Sequence, residues 1–213
     1  MSAGFDPGTG LGPRLRVARE QRELSVRELA RRIGCSASLI SQIERGISVP
    51  SVGVLYSLAT ELDTSLDHLL FGAEPRRPLA AAPGPDASGS VASGGVASGI
   101  VQRAAGRNII DLASGVRWER LTPGADAMTD FLEVIYSPGG HSTDERRPLR
   151  HDGHEYGLVI SGTLQANVGF ESYELGPGDS IAFDSSTPHE YLNKTGEPVH
   201  AIWVVVHSEP GRA

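Results

Sequence analysis

Three side chains able to bind a divalent cation stand at strand spacing in the second half of the chain: His151, Glu155 and His189. Residues four apart on a strand point to one face, so His151 projects with Glu155, and His189 projects with Asn193. Two imidazoles and a carboxylate from two strands form a facial triad, which suits Fe(II), Mn(II), Ni(II) or Zn(II) and leaves positions open for a ligand. The same groups can instead hydrogen-bond one another, or a sensed molecule, without a metal. Trp118, Phe131, Tyr191 and Trp203, with Asn193, are the expected pocket lining, although strand aromatics also serve as core. Leu158 and Ile160 fall on the face opposite Glu155, and a strand apolar on both faces calls for cover by another element or a second subunit. The chain carries no Gly-x-Ser-x-Gly elbow, Walker loop or dinucleotide glycine fingerprint, so nucleophilic, phosphoryl-transfer and hydride chemistry have no support.

A second group of residues points to nucleic acid. Residues 14–45 hold eight Arg against four Glu, whereas residues 104–213 hold eight basic against sixteen acidic groups, within a chain of net charge −7. One compact stretch is basic and the rest repels phosphate, which predicts separate domains with separate partners. Ser36 and Ser38 are short donors near a helix start, and Gln42 can bond adenine through two atoms. Arg16, Arg27, Arg31 and Arg45 can reach phosphates.

The elements that must position these residues are legible in the periodicity. Up to residue 72 apolar residues recur at three and four, as in Val26, Leu29, Ala30, Ile33 and in Val54, Leu55, Leu58, Ala59, Leu62. Ser25-Val-Arg-Glu28 is a capping box, Gly34 and Gly46 end helices, and Ser36, Ser51 and Ser65 cap others, which predicts a five-helix bundle. After residue 104 the period is two, with eight or nine short strands separated by turns such as Ser137-Pro-Gly-Gly and Leu175-Gly-Pro-Gly-Asp, which predicts an antiparallel barrel or jelly roll. Between Glu74 and Gly99, 19 of 26 residues are Pro, Gly, Ala or Ser. Such a segment cannot bury enough to order itself and would span on the order of 28 Å. The organisation expected is therefore a disordered lead over 1–12, a DNA-binding domain over 13–72, a flexible linker over 73–103 and a β-barrel over 104–213. Without contact between the domains, that tether would transmit little.

Gly 26 and Pro 14 in 213 residues fit turn-rich β structure plus a linker. The lone Cys35 can form no internal disulfide, and no apolar run approaches the ~20 residues of a membrane span, so a cytoplasmic protein is expected.

Ser25 to Gly46, continued by Ser48-Val-Pro-Ser51, closely resembles the helix-turn-helix of the Xre/lambda-repressor-like family over about residues 14–71. The resemblance implies that Ser36, Ala37, Ser38, Ser41 and Gln42 face base edges in the major groove, and that Arg19 pairs with Glu44. His151-Asp-Gly-His-Glu155 with Gly162, and Gly176-Pro-Gly-Asp179 with Pro188, His189 and Asn193, resemble the two motifs of the cupin superfamily. Leu149 stands where that family usually has another histidine, which leaves three ligands rather than four. Together the resemblances imply a homodimeric, one-component regulator that binds a palindromic double-stranded DNA operator while its barrel senses a small-molecule effector or a metal. The alternative is a metal-dependent oxygenase: the phosphonate epoxidase of fosfomycin synthesis resembles the same layout, with a lysine of its helical domain in the active site. This chain has no lysine before Lys194.

Overall fold

The computed structural model describes residues 7–72, 100–124, 126, 128–143 and 148–207. Most of the expected linker, residues 73–99, and the first six residues of the expected lead lie outside the described residues.

Five helices come first: α1 (Pro7–Gln21), α2 (Val26–Ile33), α3 (Ala37–Glu44), α4 (Val52–Leu62) and α5 (Leu66–Phe71). The serines mark the starts as expected. Ser25, Ser36, Ser51 and Ser65 each accept a hydrogen bond from the backbone N–H three residues on. The first helix begins inside the stretch expected as a lead, because Leu11 continues the apolar stripe of Leu15 and Ala18 and is itself buried. Gly12 is part of the reason. A Cβ there would stand 2.5 Å from the carbonyl oxygen of Glu44, so α1 lies against the end of α3 only because this residue has no side chain. Leu15, Leu29, Ile40, Leu55, Leu58 and Leu69 are fully buried between the helices, each contributing roughly 1.5–3 kcal/mol.

The remainder is all antiparallel. A six-stranded sheet runs in the order β1 (Ile109–Leu112), β2 (Val116–Arg120), β3 (Thr129–Tyr136), β9 (Val199–Val206), β4 (His154–Ser161) and β7 (Ser180–Asp184). A three-stranded sheet runs β6 (Glu171–Leu175), β5 (Leu164–Val168), β8 (His189–Leu192). The two enclose a core of alternate residues, including Trp118, Leu132, Val134, Tyr136, Leu164, Ala166, Tyr191, Ala201 and Trp203. The sequence pattern runs one strand through Thr163–Phe170, whereas β5 stops at Val168 and Phe170 is fully exposed in the turn to β6. Only Leu175 of β6 is buried, so that strand carries no apolar alternation to announce it.

Phe131 corrects an expectation. Its neighbours Leu132, Val134 and Tyr136 face inward, and Phe131 has the opposite parity and is 37% exposed, so it lines no pocket. On the same outer surface Tyr156, Leu158 and Ile160 of β4 are also exposed.

The helical domain touches the barrel. The Gly53 N–H donates to the Ser142 carbonyl at 3.2 Å, and the Ala113 N–H donates to the Pro50 carbonyl at 3.1 Å. The condition under which the tether would transmit little is therefore not met: the first turn of α4 sits over the barrel mouth. Among the described residues no helix is long and apolar enough to cross a membrane.

Candidate functional sites

The helix-turn-helix unit is built from α2, a tight turn and α3. Gly34 has φ 72° and its N–H bonds back to Ala30, so the chain reverses in one residue, as glycine allows. Ser36 spends its hydroxyl on the Leu39 N–H at 3.1 Å, which fixes the start of α3. Ile40 and Ile43 anchor that helix in the core and half-buried Ala37 packs against it, leaving Ser36 and Ser38 exposed and Ser41 and Gln42 half-buried. The Gln42 amide donates to Ser38 Oγ at 3.3 Å, one turn back. At the far end, Arg45 donates from Nε to the Ser41 carbonyl at 3.0 Å.

A brace orients the unit. Arg19 of α1 donates to both carboxylate oxygens of Glu44, at 2.6 and 3.1 Å, and to the Leu24 carbonyl at 2.7 Å. Arg19 is only 8% exposed. The pair implied by the resemblance is therefore present, as a charge-assisted fork that ties α1 to α3. The other arginines differ. Arg27 is exposed, Arg16 is held by Glu20 at 2.8 Å, and Arg31 and Arg32 both hold Glu28. Their hydrogen bonds bring the Glu28 carboxyl down to about 2.

The second site lies inside the barrel. His151, just before β4, and Glu155 on it meet His189 at the start of β8, and one donor atom from each lies within 4.8 Å of the others. All three are buried. Glu155 Oε1 stands 2.6 Å from His151 Nε2 and 3.0 Å from His189 Nε2, while Oε2 accepts from the Tyr191 hydroxyl at 2.7 Å. Burial pushes the Glu155 carboxyl up, but His151 and His189, when both carry a proton toward it, outweigh burial and bring it down to about 2.

His189 is poised as a ligand. Its Nδ1 lies 2.8 Å from the Thr187 carbonyl, which assigns the ring proton to Nδ1 and leaves a lone pair on Nε2. That Nε2 is buried and, despite its nearness to Glu155, has no aligned hydrogen-bond partner. An orphaned lone pair beside a carboxylate and a second imidazole is a donor set suited to a divalent cation. Leu149, at the position of the absent third histidine, pairs with His189 through backbone bonds and lines the same cavity.

Trp118, Tyr191 and Trp203 face this cavity. Trp203 has room because Gly157 lies beside it, where a Cβ would fall 2.4 Å from the indole. Asn193 does not face the cavity. Its amide nitrogen donates to the Tyr136 and Glu197 carbonyls and its oxygen accepts from Thr195, so it is a fully used turn-holder. Two lining residues come from outside the barrel and escape the sequence pattern: Val52 and Tyr56 of α4. The Tyr56 ring stacks on His151 with centroids 4.2 Å apart and planes 4° from parallel, and its edge meets Trp118 at 6.0 Å. The available signal was that Val52 and Tyr56, four apart, make a second apolar stripe beside Leu55, Leu58 and Leu62, so α4 is covered on two sides.

Residues 15–69 match the helix-turn-helix family and residues 132–205 match the cupin domain family. Over 190 residues, 88% of this chain and 90% of the relative, the chain is 27% identical to the HTH-type transcriptional regulator PuuR of Escherichia coli (strain K12). The crystal structure of an HTH_3 family transcriptional regulator from Vibrio cholerae covers 96% of this chain and 100% of that one, with a TM-score of 0.63 at 21% identity, and shares its fold. The hydroxypropylphosphonic acid epoxidase from S. wedmorenis covers 93% of this chain and 97% of that one at 20% identity, with a TM-score of 0.43, a level from which no chemistry follows.

Proposed function

We propose that this chain, which joins an Xre-like helix-turn-helix domain to a C-terminal cupin domain, is a cytoplasmic transcriptional regulator that binds a palindromic operator as a homodimer and senses a small molecule, with a divalent metal, in its barrel. The observation that carries the DNA-binding reading is the Arg19–Glu44 brace, which sets α3 against α1 with its Ser38 and Gln42 side outward. Half-sites one helical turn apart, about 34 Å, require two such helices, and the outward Tyr156, Leu158 and Ile160 supply apolar surface for a second copy.

His151, Glu155 and His189 would hold the metal, and zinc, nickel, iron and manganese all suit two imidazoles and a carboxylate. Such an ion supplies positive charge and open coordination positions to a ligand. The protein's part is to hold the triad dry and to line it with aromatic rings. Among the described residues Glu155 is the one charged residue in the cavity lining, and α4 contributes Val52 and Tyr56 there. Among the described residues no lysine or arginine lines that cavity.

Two measurements on tag-free, full-length protein test this. Fluorescence anisotropy with duplex from the region upstream of its own gene should give binding that weakens as salt rises. Elemental analysis should give up to one divalent metal per chain. Salt-independent or absent duplex binding would remove the regulator reading.

A further inference from the structure

The cavity beside His151 and Glu155 is walled by two domains. Val52 and Tyr56 come from α4, and the barrel supplies the rest, including Trp118, Tyr136, Tyr191 and Trp203. With Tyr56 in place its volume is about 30 Å³. One water needs roughly 10–15 Å³ and organic ligands occupy pockets of several hundred, so this space takes an ion or two waters and nothing larger. A wall must move before an organic ligand can enter. The Trp203 and Tyr191 walls are tied into strand ladders on both sides or along their length. Among the described residues the α4 wall meets the barrel through two backbone hydrogen bonds, the Tyr56 stack on His151 and the Tyr56 edge on Trp118, and interdomain contacts of this kind are the ones that open.

The geometry points to a displacement: the barrel takes a small planar ring ligand in the place of the Tyr56 ring on His151, and its binding lifts α4, with the helix-turn-helix attached, off the barrel mouth. This rests on the barrel being a ligand sensor. Four aromatic side chains and a stacked imidazole favour a flat ring over an aliphatic chain. A metal ion in the triad fits without displacement, so metal and ring ligand act differently. By linkage, whatever clamps α4 down weakens the ring ligand by the same factor.

Gly53 is the second residue of α4, so its N–H has no partner within the helix and bonds only Ser142 of the barrel. Ala113 stands likewise to Pro50. Hydrogen exchange of these two amides, followed by NMR on the full-length protein, therefore reads docking. The probes are Zn²⁺ alone and imidazole as the planar ring. Zn²⁺ alone should leave both amides protected, and imidazole should speed both by about tenfold or more. Tyr56→Ala should exchange fast without any probe and bind imidazole about fivefold more tightly, whereas Tyr56→Phe, which keeps the ring, should behave as the parent. Imidazole that shifts the Trp118 and Trp203 indole signals while both amides stay protected would overturn the displacement. So would imidazole that binds neither the parent nor Tyr56→Ala. Failure to take up Zn²⁺ would instead strike only the metal in the proposed function, because the imidazole and Tyr56 arms need none.

Discussion

Arg19 grips Glu44 through two nitrogens across 25 residues of chain, at 2.6 and 3.1 Å, and both side chains are about nine-tenths buried. Glu44→Ala would leave a buried guanidinium without its counter-charge, which costs about 3–5 kcal/mol, whereas an exposed pair is worth under ~1. A bundle of this size has little stability to spare. Circular dichroism of the full-length variant should therefore show loss of helix at a lower temperature, ahead of any change in the barrel. A midpoint for the helical signal within a degree of the parent would show the brace to be unnecessary.

On the face of α3, two variants separate base reading from charge. Gln42→Ala should cost about 1–3 kcal/mol on the preferred operator and relax preference at one base pair. Arg45→Ala should weaken all duplexes alike and lower the salt slope by about one. Anisotropy on the operator and a scrambled duplex at several salt concentrations distinguishes them, and equal effects on both duplexes from Gln42→Ala would remove it from base contact.

In the barrel, His189→Ala should abolish metal uptake, since its Nε2 is the uncommitted donor of the triad. Leu149→His makes the opposite test. It places a third imidazole, as a fourth ligand, beside His189 and should tighten metal about tenfold or more, by competition with a chromogenic chelator. Unchanged metal affinity in Leu149→His would mean that the triad and Leu149 do not share a centre.

Acid should loosen the outer sheet through Glu133. The His200 ring at 3.0 Å, aided by Arg107 at 2.6 Å and against the opposing effect of burial, holds this carboxyl below its ordinary value. Its stabilising effect is present above the unfolded pKa of about 4.3 and disappears as the pH falls through the lower folded value. Glu133→Gln should thus cost about 1 kcal/mol in denaturant unfolding at pH 7 and close to nothing at pH 2.5. An equal loss at both pH values would assign the effect to packing.

For the pairing of two chains, Leu158→Asp with Ile160→Asp should convert a dimer to a monomer in sedimentation and lower operator affinity about a hundredfold, because one recognition helix then binds without the other. A dimer that survives both charges pairs through another surface.

Much of this was legible because period and punctuation agree. Serine caps and Gly34 set the helices; His151 and Glu155 do meet, at 2.6 Å, but His151 stands before β4 and the turn through Gly153, not strand spacing, brings it there. What escaped has physical reasons. Strand β6 exposes nearly all its side chains, so nothing alternates. Phe131 is as aromatic as Trp118, and only register decides which of them faces inward. Asn193 shares a face with His189 in an extended chain, but β8 ends at Leu192 and its amide turns to the loop. Tyr56 reads as one more helical apolar residue, and its place over His151 depends on contact between domains that lie nearly a hundred residues apart in sequence.

The two hydrogen bonds that seat α4 on the barrel run from main chain to main chain, Gly53 to Ser142 and Ala113 to Pro50. No side-chain atom takes part in them, although proline is excluded at the two donors and a Cβ at Gly53 would stand 3.3 Å from the Leu149 side chain. The cavity, by contrast, is lined by side chains. Substitution of Leu132 or Val134 can thus retune what the barrel admits while the seat of the helical domain stays as it was, and paralogues could diverge in what they detect while keeping one way of reporting it.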